Sequence, residues 1–213
     1  MKKVRIDIVS DVVCPWCIIG YKRLEQALST LSDSLEADLY WHPFELNPAM
    51  GEQGQNLKEH LQEKYGTTEE ASQSARQTLT QLGHEVGFEF HFSPQMRIYN
   101  TRKAHQLLMW ASSENKQLEL KLKLFHCYFT DNQDISDEKV LIDSAANVGL
   151  DSETAKLVLA DMTWAESVAT TEQQWLEAGI NAVPAIIINK KHLISGAQTS
   201  ELLVSALKQI NNL

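Results

Sequence analysis

The sequence predicts an α/β protein in which a small β-sheet with flanking helices is interrupted by a large all-helical insertion. Three observations lead to this prediction. A strand–helix–strand pattern opens the chain, helical periodicity fills its middle, and strand patterns return near its end. With 213 residues, of which 43% are apolar, the chain can bury a substantial core.

The N-terminal part predicts a β-α-β unit. Apolar and polar residues alternate over residues 4–10, which predicts a strand, and apolar residues recur at helical spacing over residues 15–31. Pro15 suits the first turn of this helix, where its missing N–H costs nothing. Alternation returns over residues 35–45, and prolines bracket the end of this second strand.

The middle of the chain predicts helices almost throughout. Gly66 is expected to end the first of them, and Thr68 to precede the second. The predicted helices cover residues 57–65, 69–82, 101–111, 118–129 and 136–149, with two more between 151 and 179.

Strand patterns return after this section. Residues 182–188 form an apolar run too continuous for a half-exposed strand, which predicts a central strand buried on both faces. A polar turn at 189–191 leads to an expected antiparallel partner at 192–195, and residues 199–210 predict a last helix.

These elements predict two structural units. Residues 1–48 and 180–213 are expected to form one discontinuous unit around the sheet. Residues 49–179 are expected to form a helical domain inserted into it.

Composition excludes several classes of partner. The net charge of −9 argues against nucleic acids and anionic membranes. No apolar stretch reaches the length needed to cross a bilayer. Charged residues interrupt the N-terminal segment, which therefore lacks the pattern of a signal peptide. We therefore expect a cytoplasmic protein.

The chain has three cysteines, and two of them lie in the motif Cys14-Pro15-Trp16-Cys17, between the first strand and the first helix. A thiol must ionise before it attacks a disulfide, and the positive end of a helix favours the thiolate. Cys14 is therefore the expected nucleophile. Cys17, one turn further on, can resolve the mixed disulfide that Cys14 forms.

Other interpretations of the cysteines and of Pro184 remain open at this stage. The motif could hold ordinary cysteines, or could bind zinc together with Cys127 or His126, although no second short-spaced pair is present. Cys127 is expected to be a buried apolar residue. Pro184 stands in the last apolar run, either trans at the start of the strand or in a cis peptide bond.

Several segments together resemble the DsbA family of the thioredoxin superfamily, and in particular its cytosolic FrnE-like branch. The resemblance covers essentially the whole chain. It rests on the Cys-Pro-Trp-Cys motif and on the segments Trp41–Pro48, Asn100–His105, Tyr128–Thr130 and Val183–Ala185 followed by Ser195–Gln198.

The resemblance implies a thioredoxin-like fold with a helical insertion, and a protein dithiol–disulfide oxidoreductase or isomerase activity. It implies that Cys14 attacks, that Cys17 resolves, and that Pro184 is a cis-proline packed beside them. The backbone of Val183 would then pair with the substrate chain like an added strand. Pro15 and Trp16 are the further candidates for substrate contact.

The expected partners are protein or peptide disulfides, with glutathione as a further candidate, and neither an organic cofactor nor a metal is required. One alternative is a glutathione-dependent transferase or isomerase of the kappa or hydroxychromene carboxylate isomerase type. Those proteins typically carry serine where Cys14 stands. Another alternative is a non-catalytic chaperone or zinc-binding protein. Asp11 is expected to cap the first helix or to be solvated, and help in proton transfer from Cys17 is the other interpretation. His42, His105 and His192 are candidates for places near the site.

Overall fold

The structure is a computed structural model that describes residues 1–213. The strands are β1 (Lys2–Ser10), β2 (Leu35–Pro43), β3 (Gln55–Asn56), β4 (Arg97–Ile98), β5 (Ala185–Ile188) and β6 (His192–Ser195). The helices are α1 (Pro15–Thr30), α2 (Leu57–Tyr65), α3 (Glu69–Glu85), α4 (Arg102–Ser113), α5 (Gln117–Phe129), α6 (Glu138–Asn147), α7 (Ser152–Ala160), α8 (Met162–Glu177) and α9 (Ser200–Asn211).

The main sheet has the strand order β2-β1-β5-β6. β1 and β2 are parallel and pair along their whole length, while β5 is antiparallel to both β1 and β6. All four residues of β5 are buried, which confirms the prediction of a central strand. The sheet thus joins the two ends of the chain, and it places the start of α1 next to the segment that leads into β5.

Side-chain caps explain where most of the helices begin. Each capping oxygen accepts a backbone N–H of the first turn, an interaction that typically contributes about 1 kcal/mol. The capping residues are Asn56, Thr68, Asp137, Asp151, Asp161 and Thr199. Gly66 ends α2 at a φ of 65°, as predicted.

Apart from shifts of about two residues at the ends of some elements, such as β2 and α6, the structure differs from the prediction at three places. β5 begins at Ala185 rather than at residue 182, because Pro184 has no N–H to donate to the sheet. α3 continues past Gly83, where a Cβ would lie only 2.5 Å from the ring of Phe90, so glycine is needed there for packing. The pair formed by β3 and β4 was not predicted, because two-residue strands carry no alternation.

The sheet, α1 and the middle helices share one continuous core of 42 buried residues. α4 packs against α5, α6, α7 and α8, and α1 contacts both α9 and α5. The division into residues 1–48 with 180–213 and an inserted 49–179 domain stays a prediction. None of the helices combines the length and the apolar character that a membrane span requires.

Candidate active site

The cysteine motif lies where β1 passes through a short turn into α1. Cys14 is the N-cap residue of α1, with extended backbone angles (φ −93°, ψ 111°), and Pro15 is the first helical residue. The N–H of Cys17 donates to the carbonyl of Cys14 at 3.0 Å. No side chain caps α1, so the partial positive charge of its first N–H groups is not offset next to the sulfur of Cys14.

The segment before β5 completes this site from the other end of the chain. The Val183–Pro184 peptide bond is cis, as the resemblance implies. The Cys14 thiol donates to the Val183 carbonyl oxygen at 3.8 Å. Gly20 lets α1 lie close to Pro184, because a Cβ at this position would be 3.1 Å from Cγ of Pro184. The fold therefore brings together Cys14, Cys17, Val183 and Pro184.

The two sulfurs have different environments. Cys14 keeps 4% of its surface exposed and Cys17 keeps none, so Cys14 is the more accessible of the two. Burial raises the pKa of Cys17 well above its ordinary value, and its hydrogen bond with Cys14 raises it further. Lys121 and the backbone of Asp11 act in the opposite direction. Cys17 therefore stays a thiol until something favours its ionisation.

Lys121 is the one cationic side chain that acts on Cys17, and the sequence did not single it out. It lies on α5 and is only 1% exposed. Burial lowers the pKa of Lys121 to about 8, an effect that the negative charges of Cys17, Asp11 and Cys14 oppose. A lysine buried to this degree is rare unless it is paired.

Asp11 holds the segment after β2 in place, and the expectation that it caps α1 or is solvated was wrong. It is fully buried, and its carboxylate accepts the N–H of Leu46 at 2.8 Å. Nε2 of His105 lies 3.2 Å from that carboxylate and donates to the Phe44 carbonyl at 3.1 Å. Because its partners are 35 and 94 positions away along the chain, local sequence gave no indication of them.

A second group of charges anchors the same segment. The guanidinium of Arg102 donates to both carboxylate oxygens of the buried Glu45. Glu172 on α8 accepts the N–H of Glu45 at 2.6 Å, and burial raises the pKa of Glu172. The two segments Trp41–Pro48 and Asn100–His105 are thus joined by an ion pair, since the first supplies Glu45 and the second supplies Arg102.

The remaining candidates lie in different places. Trp16, between the two cysteines of the motif, is 42% exposed. His42 is on the sheet, where its Nε2 lies 2.8 Å from Asp7, and His192 begins β6. Cys127 is buried, as expected, and its sulfur lies 3.4 Å from the Ser144 hydroxyl. No three His, Cys, Asp or Glu residues are grouped so that they could hold a metal ion.

Comparison with known proteins shows the family to which this chain belongs. The family model described as a DSBA-like thioredoxin domain matches residues 5–208. The chain belongs to the DsbA-like thioredoxin family. This result confirms the predicted family and the predicted thioredoxin-like fold with a helical insertion.

Individual proteins match this chain over nearly their whole length. An uncharacterized protein of Bacillus subtilis, YwbO, is 28% identical over 205 residues, which are 96% of each chain. The crystal structure of a probable DsbA oxidoreductase from Streptomyces coelicolor, SCO1869, has a TM-score of 0.90 at 29% identity and covers 97% of this chain and 89% of its own. The cytosolic disulfide reductase DsbM from Pseudomonas aeruginosa, solved with GSH, shares the fold at 13% identity (TM-score 0.66; 98% and 100% covered). DsbA-like proteins are generally disulfide oxidoreductases or isomerases.

Proposed function

We propose that this protein is a thiol–disulfide oxidoreductase that exchanges disulfides with protein, peptide or small-thiol substrates. The observation that supports this most strongly is the placement of Cys14 at the uncapped start of α1, with Cys17 one turn below it. The helix start favours the ionised sulfur that disulfide exchange requires.

The reaction proceeds in two steps. The Cys14 thiolate attacks one sulfur of the substrate disulfide, so that a Cys14–substrate disulfide forms and one substrate thiolate leaves. Cys17 then loses its proton and attacks the Cys14 sulfur. The Cys14–Cys17 disulfide forms, and the second substrate sulfur leaves and takes up that proton. The cysteine pair is oxidised by two electrons and the substrate disulfide is reduced by two.

The substrate chain docks beside Val183. Neither backbone group of Val183 pairs with another backbone group, and its carbonyl faces Cys14. An extended peptide can therefore pair with it, as in strand addition. Pro184 shapes this edge, and Pro15 and the exposed Trp16 of the motif are the further residues that we expect to contact the substrate. Glutathione is the proposed small-thiol partner, and we place the activity in the cytoplasm, as the sequence predicts.

Reduction of insulin by a thiol reductant tests the proposal. We expect Cys14→Ser to abolish the catalysed rate, and Cys127→Ala, which removes the third thiol outside the site, to leave it unchanged. Catalysis that survives Cys14→Ser would refute the assignment. A glutathione transferase needs only one reactive group, so glutathione conjugation that persists in Cys17→Ser would favour that alternative.

A further inference from the structure

Lys121 occupies a position that packing alone does not explain. Its Nζ lies 5.3 Å from the centre of the Trp41 ring and 5.2 Å from that of Phe125. None of the salt bridges in the structure includes it. A buried ammonium group costs stability unless a nearby negative charge compensates for it.

The groups that face Lys121 come from several elements. α1, which carries both cysteines, packs against α5. The backbone carbonyl of Asp11, in the turn before α1, accepts the N–H of Cys14 at 3.2 Å. Negative charge on Cys17, Asp11 or Cys14 favours the ammonium form of Lys121. A cavity of about 10 Å³ borders Lys121, and His42 and His105 also line it. The carboxylate of Asp11 already accepts the Leu46 N–H and contacts His105. The cysteine pair is therefore the reactive group on which the charge of Lys121 acts.

We propose that Lys121 is a positioning residue for disulfide exchange, whose buried ammonium group stabilises the ionised form of Cys17 when Cys17 attacks the mixed disulfide. This inference rests on the proposed function and adds a role for the inserted helices, since α5 supplies the charge. Burial and Cys14 both hold Cys17 in its neutral form, whereas Lys121 opposes them. The first step, attack by Cys14, depends mainly on the start of α1 and much less on Lys121.

A chromogenic aromatic disulfide separates the two steps in one experiment. When it is mixed with the reduced protein, attack by Cys14 releases a first coloured thiolate, and resolution by Cys17 releases a second. In Lys121→Met we expect the first phase to stay within twofold of the wild-type rate. We expect the second phase to slow about threefold for each unit by which the pKa of Cys17 rises, because the loss of thiolate outweighs its greater nucleophilicity.

The pH profile and the controls exclude a merely structural role. In Lys121→Met the pH dependence of the second phase should move to higher pH, and Lys121→Arg should restore part of the rate. Lys123→Met, the same substitution on a half-exposed neighbour in α5, should change neither phase. If Lys121→Met does not fold, Lys121→Gln carries the same prediction.

Two failures are distinguishable. A wild-type protein that releases no thiolate through Cys14, or a Cys14→Ser variant that still gives both phases, would overturn the proposed function itself. A wild-type protein with two clear phases, together with a neutral Lys121 variant whose second phase keeps its rate and pH profile, would overturn only the role of Lys121.

Discussion

Replacing Lys121 by methionine should make the protein more stable while slowing its chemistry. Methionine has nearly the same length and no charge, and it would lie between the rings of Trp41 and Phe125. Buried charges are often replaced by apolar side chains with a gain in stability. If Lys121 is retained for exchange, its removal should show this trade-off between stability and activity.

The size of the effect follows from the pKa of Lys121. Folding lowers it from 10.5 to about 8, and each pKa unit corresponds to about 1.4 kcal/mol. At neutral pH the charged lysine therefore costs the folded state about 3 kcal/mol. The unfolded chain holds this proton up to a higher pH than the folded protein does, so the cost disappears as the pH rises from about 8 towards 10.5.

Urea denaturation of the reduced proteins between pH 6 and pH 10 measures this difference. We expect the free energy of unfolding of Lys121→Met to exceed that of the wild type by up to about 3 kcal/mol at neutral pH. This corresponds to a rise in Tm of roughly 6–12 °C for a chain of this size. The gain should shrink above pH 8. A variant that is less stable than the wild type at neutral pH, or a gain that does not depend on pH, would refute this reasoning.

Three further predictions concern the surroundings of the site. Arg102→Met should lower the free energy of unfolding by about 3 kcal/mol, because the substitution leaves the carboxylate of Glu45 buried without its partner. A loss below about 1 kcal/mol in urea denaturation would contradict this prediction. Adding Glu45→Gln to Arg102→Met should recover part of the lost stability. Burial alone would raise the pKa of Asp7, but hydrogen bonds from Arg5 and His42 lower it below 3.8. Asp7→Asn should therefore be less stable than the wild type at pH 7, and the difference should close as the pH falls below 3.8. Equal acid unfolding curves for the two proteins would show that the interaction contributes nothing to stability. Gly20→Ala should slow the first phase of disulfide exchange, because the added Cβ would lie 3.1 Å from Cγ of Pro184. Alanine itself favours the helix by about 1 kcal/mol. A variant of equal or greater stability whose first phase keeps its rate would therefore argue against this contact.

Local patterns were sufficient to predict most of the fold. The helices carry their own signals in apolar spacing and capping residues, and β5 carries its signal in an unbroken apolar run. The cysteine motif could also be recognised from local sequence, because the two cysteines are separated by only two residues. The meeting of Cys14 with Val183, 169 residues away, followed only from the family resemblance.

Lys121 shows what the sequence analysis missed and what could have found it. It stands three residues after Leu118 and four before Phe125, on the apolar face of α5. A charged residue in that stripe is a signal of a buried charge, and it was available in the sequence. Asp11 is a different case, since neither His105 nor Leu46 could be assigned to it before the chain was folded.

Trapping of the covalent intermediate tests the central claim most directly. A Cys17→Ser variant, incubated with a disulfide-containing peptide and examined by mass spectrometry, should accumulate one peptide joined to Cys14, and the same peptide should not attach to a Cys14→Ser variant. If no mixed disulfide forms, or if the peptide is found on Cys127 instead, Cys14 is not the nucleophile and the proposed exchange reaction does not occur at this site.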